Sequence, residues 1–424
     1  MKVLVIGGGG REHALVWRLA QSPGVEQVYC APGNAGIAMD ASCIPIDLSS
    51  VAEAVNLAET LAVALTIIGP EAPLVAGIAD AFEARNLPLL GPSQYAAQLE
   101  GSKVFAKQFM QAHQIPTAAF TTIESPSEIG DRVGKFGYPV ALKADGLAAG
   151  KGVVVVRDES EARETAAAML AGELVGSAGR RILVEEFLSG EEVSFIALSD
   201  GERCSVFPPT QDHKPAFDND EGPNTGGMGA YCAPALLSDR NHDFVLDRVV
   251  HPVLDGMRAK GHPFCGFLYC GLMMTAEGPK VLEFNVRMGD PETQPLMYRI
   301  RGDLLQLFSS CAAGNLNADT VHWDPGPTAC VVLASNGYPG KYPIGLEISG
   351  LPEASQTGAQ VFHAGTRLLN DTIATAGGRV LGVTAGGSDL AAALDNTYQA
   401  VDKIRFDGMH YRRDIGSKGL QHGR

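Results

Sequence analysis

Over its first hundred positions the chain alternates short apolar, β-rich runs with stretches of helical period. Strands are expected at Lys2–Ile6, Glu26–Ala31, Leu65–Ile68 and Pro88–Leu90, and helices at Glu12–Gln21, Val51–Leu61 and Pro73–Arg85. The alternation predicts an open parallel sheet with helices on both faces. Turns at Gly7–Gly10, Ala31–Gly36, Gly69–Pro73 and Gly91–Ser93 then fall at the carboxyl ends of the strands, where such sheets bind ligands. From Gly101 the pattern changes. Ser102 is placed to cap a helix Lys103–Gln114, and hairpins follow: Pro139–Ala144 and Val153–Val156 flank a glycine-rich turn, Arg181–Phe187 is extended, and Val193–Ser199 pairs with Arg203–Phe207. Leu237–Lys260 has helical period, and Phe264–Met274 and Pro279–Val286 read as strands. Asp324-Pro325-Gly326-Pro327 marks a boundary, beyond which Thr328–Ser335, Ile348, Val361–His363 and Arg379–Ala385 read as further strands. The expected organisation is multidomain, α/β and α+β: an open parallel α/β domain over 1–100, a central domain over 101–325 with a lid subdomain about 121–190, and a small β-rich domain over 326–424.

Composition narrows the chemistry. The 424 residues suffice for about three domains. With 48 acidic against 33 basic side chains the formal charge is −15, and no Lys/Arg cluster stands out, so nucleic acid and anionic membrane are excluded as natural partners. An anionic substrate must be met by local cations. The longest apolar stretch, Leu61–Ile68, is far short of a membrane span, and Met1–Ile6 runs into glycines too early for a signal peptide. Eight cysteines without a CxxC pair read as small buried apolar residues of a reducing, cytoplasmic setting.

Glycines carry much of the candidate chemistry. Gly7-Gly8-Gly9-Gly10-Arg11-Glu12-His13 stands between a strand and a helix, where backbone N–H groups favour an anion. The dinucleotide fingerprint fails, because Glu12 or His13 occupies the place of its third glycine. A phosphate loop and a plain tight turn both remain. A second cluster runs from Lys143 through Gly146 and Gly150 to Lys151 and Gly152. It is not a P-loop: three residues rather than four separate Gly146 from Gly150, Gly152 replaces the Ser or Thr, and a strand follows instead of a helix. It reads as a cationic hairpin lid able to close over phosphates. Glu185, Glu186, Glu191 and Glu192, taken alone, are ordinary solvated charges.

The strongest segment is Val281–Gln294. In an extended strand Glu283, Asn285 and Arg287 share one face, with Leu282, Phe284 and Val286 on the other. A carboxylate and an amide oxygen at this spacing suit Mg²⁺, and Arg287 could stabilise a transferring phosphoryl group. Between the hairpin and the next helix, Gln211-Asp212-His213-Lys214 and Pro223–Tyr231 form a long loop of the kind that is usually functional. His213 there is either a base or a hydrogen-bonding loop residue.

These segments together resemble the phosphoribosylamine–glycine ligases of the ATP-grasp superfamily, along nearly the whole chain. Asn224-Thr225-Gly226-Gly227-Met228-Gly229 and Gly289-Asp290-Pro291-Glu292-Thr293-Gln294 are the most specific in combination. The resemblance implies a central ATP-grasp unit and ATP-dependent joining of glycine to 5-phosphoribosylamine through glycyl phosphate, in purine synthesis, with Mg²⁺ or Mn²⁺. It implies nucleotide contacts from Lys103, Lys143, Gly150, Lys151, Gly152, Glu185, Glu186, Phe187, Leu188 and Glu192, and metal contacts from Glu283 and Asn285. Substrate contacts are implied for Gly9, Gly10, Arg11, Glu12, Gly33, Asn34, Glu71, Asp212, Lys214, Gly226, Gly227, Met228, Gly229, Asp290, Pro291, Glu292 and Thr293. Arg287, Lys143 and Asp212 take the catalytic roles. The family usually has Phe at Met288 and Arg at Pro215, so the Pro215 loop is expected to lack one cation. Phosphoribosylamine is short-lived in water, so a transient contact with the preceding pathway enzyme is expected. The rivals are another ATP-grasp ligase or carboxylase, a dinucleotide-dependent oxidoreductase, or a nucleotide sensor without turnover.

Overall fold

In the computed structural model, residues 1–133, 135–147, 152–174 and 181–422 are described. Val3, Leu4, Val5 and Ile6 are all buried, as a strand covered on both faces requires. Their strand, Lys2–Gly7, pairs in parallel with Gln27–Pro32 on one side and Leu65–Ile68 on the other. Ser42–Cys43 and Leu89–Leu90 complete the sheet at its two edges. Chain order reverses beside Lys2–Gly7, so the glycine turn that follows it opens at the switch point where such sheets receive ligands. The helix Val51–Leu61 and strand Leu65–Ile68 occupy the positions that periodicity predicts. The helix expected over Pro73–Arg85 is broken into Glu71–Val75 and Ile78–Glu83 by Gly77, whose φ of +88° stops a helix.

The central region carries two antiparallel layers. A four-stranded sheet runs Phe120–Ile123, Ile182–Glu186, Val140–Ala144, Val153–Val156. Helix Glu159–Leu170 covers it, with Ala162, Ala166 and Met169 in a core shared with Val140, Leu142 and Val184. The larger sheet runs Gly278–Asn285, Cys265–Thr275, Glu191–Asp200, Thr210–Asp212, Gly229–Cys232, Thr328–Ala334, Arg379–Gly386, Gln360–His363. The C-terminal strands therefore extend the central sheet, through the pairing of Gly229–Cys232 with Thr328–Val331. Ile348 lies between two isolated bridges instead of in a strand. The helical stretch expected over Leu237–Lys260 is two helices, Asp239–Val245 and His251–Ala259, joined by a π turn at Leu246–Val250. Pro252 explains the interruption, since it supplies no N–H to the preceding turn.

Candidate active site

A cleft of about 770 Å³ opens between the four-stranded sheet and the edge of the larger one, a volume that fits a nucleotide and a small second substrate. Helix Lys103–Ala112 forms part of its wall. Ser102 caps that helix, accepting from Phe105 N at 3.1 Å, and its own hydroxyl donates to Asp145 at 2.9 Å, which ties the helix to the end of strand Val140–Ala144. Lys103 Nζ donates to the Gly146 carbonyl at 3.0 Å. Deeper in, the buried Glu185 carboxylate lies 2.9 Å from Lys143 Nζ and 3.3 Å from Lys107 Nζ. Burial lowers the Lys107 pKa to about 8, against the pull of Glu185. Two ammonium groups thus share one carboxylate, and the surplus positive charge faces the cleft. Gly152, Glu186, Phe187, Leu188 and Glu192 line the same cleft as Lys103, Lys143 and Glu185. Gly150 and Lys151 lie outside the described residues.

Across the cleft stands the edge strand Gly278–Asn285. A β-bulge shifts its register, so that Val281 and then Glu283 face successive partners Leu272 and Gly271. The bulge corrects the simple alternation expected: Val281, Phe284 and Val286 enter the core, while Leu282 leaves it and joins Glu283 on the cleft wall. The Leu282 carbonyl is turned so that it accepts from Lys143 at 3.2 Å. Burial raises the pKa of Glu283, but Lys214, Lys143 and Lys103 outweigh it and hold the carboxylate below its ordinary range. An ionised carboxylate and the Asn285 amide give two hard oxygen donors. That set fits Mg²⁺, which takes few protein ligands and fills its shell with water and phosphate oxygens.

Arg287 is held from three sides. Its Nη2 donates to Glu100 at 2.7 Å and to Asn285 Oδ1 at 3.2 Å, and its Nε lies 3.4 Å from Glu71. The two carboxylates differ. Burial pushes Glu100 up to about 7, with Arg287 opposing, whereas Arg287 and Arg11 outweigh burial at Glu71 and hold it below its ordinary value. Because the folded value of Glu100 lies above its ordinary 4.5, its contribution to stability is full below that pH and is lost as pH rises through about 7. Glu100→Gln should therefore flatten the decline in stability between pH 5 and pH 8, measured by chemical denaturation at stepped pH. An unchanged slope would show that Glu100 does not hold a proton in the folded protein.

The far end of the cleft is built from the loop Thr210–Gly229 and the segment Gly289–Gln294. Lys214 Nζ reaches Glu192 at 2.5 Å and Glu283 at 3.8 Å. Burial works against its charge, yet Glu192, Glu283 and Asp212 hold its pKa well above the ordinary value. Asp212 moves the other way: burial and then Glu292 raise its proton affinity, with Lys214 opposing. Glu292 is itself buried and accepts from Tyr269 at 2.9 Å and Ser194 at 3.1 Å. Asp290 accepts from Gln294 at 2.8 Å and pairs with Arg379 at 3.2 Å, and Arg379 also donates to the Gly226 carbonyl at 2.6 Å. Arg11, Glu71, Asp212, Lys214, Gly226, Asp290 and Glu292 all line the cleft.

Other expected contacts stand behind this wall, each for a visible reason. Glu12 accepts from Gly9 N at 2.6 Å and from Arg11 Nε at 2.7 Å, and fills the space that a side chain at Gly7 or Gly69 would need. Its carboxylate braces the turn. Gly10 packs on Gln294, and a Cβ at Gly33 would strike Cys43. Asn34 spends its amide on Gly8 and His363 carbonyls and its oxygen on Gly36 and Ile37 N–H groups. Met228 is fully buried, Gly229 pairs with Val331, Pro291 packs on Gly227, and Thr293 donates to the Gly289 carbonyl. His213 has both ring nitrogens engaged in hydrogen bonds. Its Nε2 accepts from Gly416 N at 3.2 Å, which puts the proton on Nδ1 toward the Gly229 carbonyl, and burial lowers its pKa to about 4.

Family models for phosphoribosylglycinamide synthetase match most of the chain: the N domain over residues 1–100, the ATP-grasp (A) domain over 101–293 and the C domain over 328–418. The chain belongs to the phosphoribosylglycinamide synthetase family. Among its relatives, the phosphoribosylamine–glycine ligase of Vibrio cholerae is 49% identical over 423 residues, covering 99% of each chain. That of Yersinia pestis is 48% identical over 428 residues, covering 100% of each. The crystal structure of phosphoribosylamine–glycine ligase from Thermotoga maritima matches with a TM-score of 0.86 at 33% identity, over 98% of this chain and all 100% of that one. A biotin carboxylase from Campylobacter jejuni shares the fold alone, with a TM-score of 0.74 at 14% identity over 97% and 92% of the two chains.

For a member of the phosphoribosylglycinamide synthetase family, the sequence reading of this site missed Glu100, Lys107, Tyr269 and Arg379. Lys107 and Glu100 sit on helices whose periodicity marks one face as buried, so a charged residue on that face was the available signal. Arg379 and Tyr269 carried none, since each sits in an apolar strand that only long-range pairing brings to the cleft.

Proposed function

We propose that this chain joins glycine to 5-phosphoribosylamine at the expense of ATP, giving glycinamide ribonucleotide, ADP and phosphate in purine biosynthesis. The observation that carries the reading is the buried Lys107–Glu185–Lys143 array facing Glu283 and Asn285 across one cleft. A cationic wall opposite a pair of hard oxygens is what a polyphosphate with its divalent ion requires. Lys103 and Lys143 hold the phosphates, and the chain at Glu185–Leu188 with Glu192 receives the nucleoside. Glu283 and Asn285 would hold Mg²⁺ or Mn²⁺, which would supply neutralising charge to the phosphoryl oxygens.

A glycine carboxylate is a poor acylating agent. Its oxygen attacks the γ-phosphorus, ADP leaves, and glycyl phosphate forms. Arg287, fixed by Glu100 and Glu71, presents its guanidinium to the charge on that phosphoryl group. The phosphoribosylamine nitrogen then attacks the glycyl carbonyl, phosphate leaves, and the nitrogen gives up a proton. Asp212, whose burial beside Glu292 raises its proton affinity, takes it in this reading. Arg11 and the glycine turns of the first domain receive the sugar phosphate. The short life of phosphoribosylamine favours direct handover from the preceding enzyme, and eight free thiols fit a cytoplasmic setting.

The test is phosphate release from MgATP, measured with each acceptor supplied in turn. Release should require both glycine and phosphoribosylamine. Release with bicarbonate but not with glycine would move the chain to the carboxylases that share its fold, and ATP binding without release under any acceptor would make it a sensor.

A further inference from the structure

The loop that forms the far end of the cleft has little core of its own. Its hairpin, Pro215–Phe217 against Glu221–Asn224, carries an exposed Phe217 and turns through Asn219 and Asp220, both at positive φ. Yet Asn224 at its end, and Lys214, Thr225 and Gly226, which flank it, line the cleft. Such a segment holds its shape only if something outside it does the holding.

The C-terminal stretch Arg412–Gly419 supplies three grips. Arg412 is 1% exposed and spends its guanidinium on four oxygens: both carboxylate oxygens of Asp414 at 2.7 Å, Asp220 at 3.0 Å and the Pro215 carbonyl at 3.2 Å. Asp414 also accepts from Asn219 N at 2.8 Å, and Lys418 reaches Asp220 at 2.6 Å. Gly416 N–H donates to His213, between the cleft residues Asp212 and Lys214. Gly419 lies so close to Tyr231 that a Cβ would meet its ring at 2.7 Å, and Tyr231 donates to Gln211, which donates to the Glu192 carbonyl. The stretch is anchored in turn: Ile415 is buried in the C-terminal core, and Tyr398 donates to the Arg412 carbonyl while accepting from Ile415 N. None of Arg412–Gly419 lines the cleft.

We propose that Arg412–Gly419 is a clasp that positions the acceptor end of the cleft, with Arg412 as its central positioning residue. Its guanidinium reaches the loop at the Pro215 carbonyl from a point 197 positions away in sequence. The identity of the acceptor rests on the ligase function proposed above. The four-stranded sheet that carries Lys143 and Glu185 is untouched by the clasp, which meets the nucleotide side only at the Glu192 carbonyl, through Gln211, so its loss should fall mainly on the acceptor.

Asp220→Asn tests this with little risk to folding, because Asp220 is exposed and Arg412 keeps Asp414. Arg412→Lys is the second variant, since one ammonium cannot span four oxygens. Both should lower kcat/KM for glycine about tenfold or more, a size set by small misplacement of binding groups, while KM for ATP stays within about twofold. Amide exchange over residues 213–226 should quicken in both, with the exchange of Val140–Ala144 unchanged. Unaltered glycine kinetics together with unaltered exchange in Asp220→Asn would overturn the clasp, as would an equal loss for ATP and glycine. If the parent protein shows no glycine dependence, the ligase function falls, and the exchange comparison still decides the clasp.

Discussion

Glu283→Gln should reduce metal-dependent phosphate release by about a factor of 10³ or more while the protein stays folded. The substitution keeps shape and removes only charge. Glu283 sits at the cleft wall, its side chain 34% exposed, so an amide there leaves no void, and Lys143, the buried cation that faces it, keeps its pairing with Glu185. What it removes is the one carboxylate in the pair with Asn285, and an amide is a far weaker ligand for a hard divalent ion. It also releases Lys214, Lys143 and Lys103 from the anion that faces them. Those cations then meet the phosphates without competition, so nucleotide binding should hold or tighten as turnover collapses. That split identifies a ligand of the metal rather than a support of the strand. Phosphate release across a Mg²⁺ or Mn²⁺ titration, set beside nucleotide affinity and thermal unfolding, measures it. Loss of folded protein, with normal specific activity in what remains, would reassign Glu283 to a structural role.

Where structure depends on residues close in sequence, the chain was readable. The Val51–Leu61 helix has its Ser50 cap, and Lys103–Ala112 its Ser102, each stated by local chemistry. Irregularities were harder, because the residues that cause them do not announce the outcome. Gly77 could have been tolerated within a helix, Pro252 could have kinked one without a π turn, and nothing in Val281–Asn285 shows a bulge that depends on the partner strand. The site divided in the same way. Lys143, Glu283, Asn285 and Arg287 were visible as a pattern of polar positions on strands, whereas the groups that fix them lie far off in the chain. Glu100 meets Arg287 across 187 positions, and Gly416 settles the tautomer of His213 across 203. Glu185 looked no different from its acidic neighbours in sequence. Its 2% exposure follows from strand phase and from the helix that brings Lys107 against it.

That burial gives Glu185 the largest expected effect on stability. Its carboxylate is bracketed by Lys143 at 2.9 Å and Lys107 at 3.3 Å, all three nearly inaccessible. Glu185→Gln leaves two ammonium groups facing each other across an amide, with no loss of volume to confuse the result. Breaking a buried pair by removing one partner costs about 3–5 kcal/mol, mainly through the charge left behind. The strain has a direction in pH. The Lys107 pKa, ordinarily 10.5, is lowered by burial to about 8, so stability from this group is full above 10.5 and is lost as pH falls through 8. Without Glu185 the folded value drops further, and the variant should be markedly unstable at pH 7 and recover part of the difference by pH 9. Nucleotide gives a second handle. Phosphates return anionic charge to the same pocket, so saturating MgATP should raise the unfolding midpoint of the variant more than that of the parent. Urea denaturation at pH 7 and pH 9, with and without MgATP, makes both comparisons. A loss that is equal at the two pH values and indifferent to nucleotide would mean that Glu185 serves packing alone, and that the cationic wall does not receive phosphates.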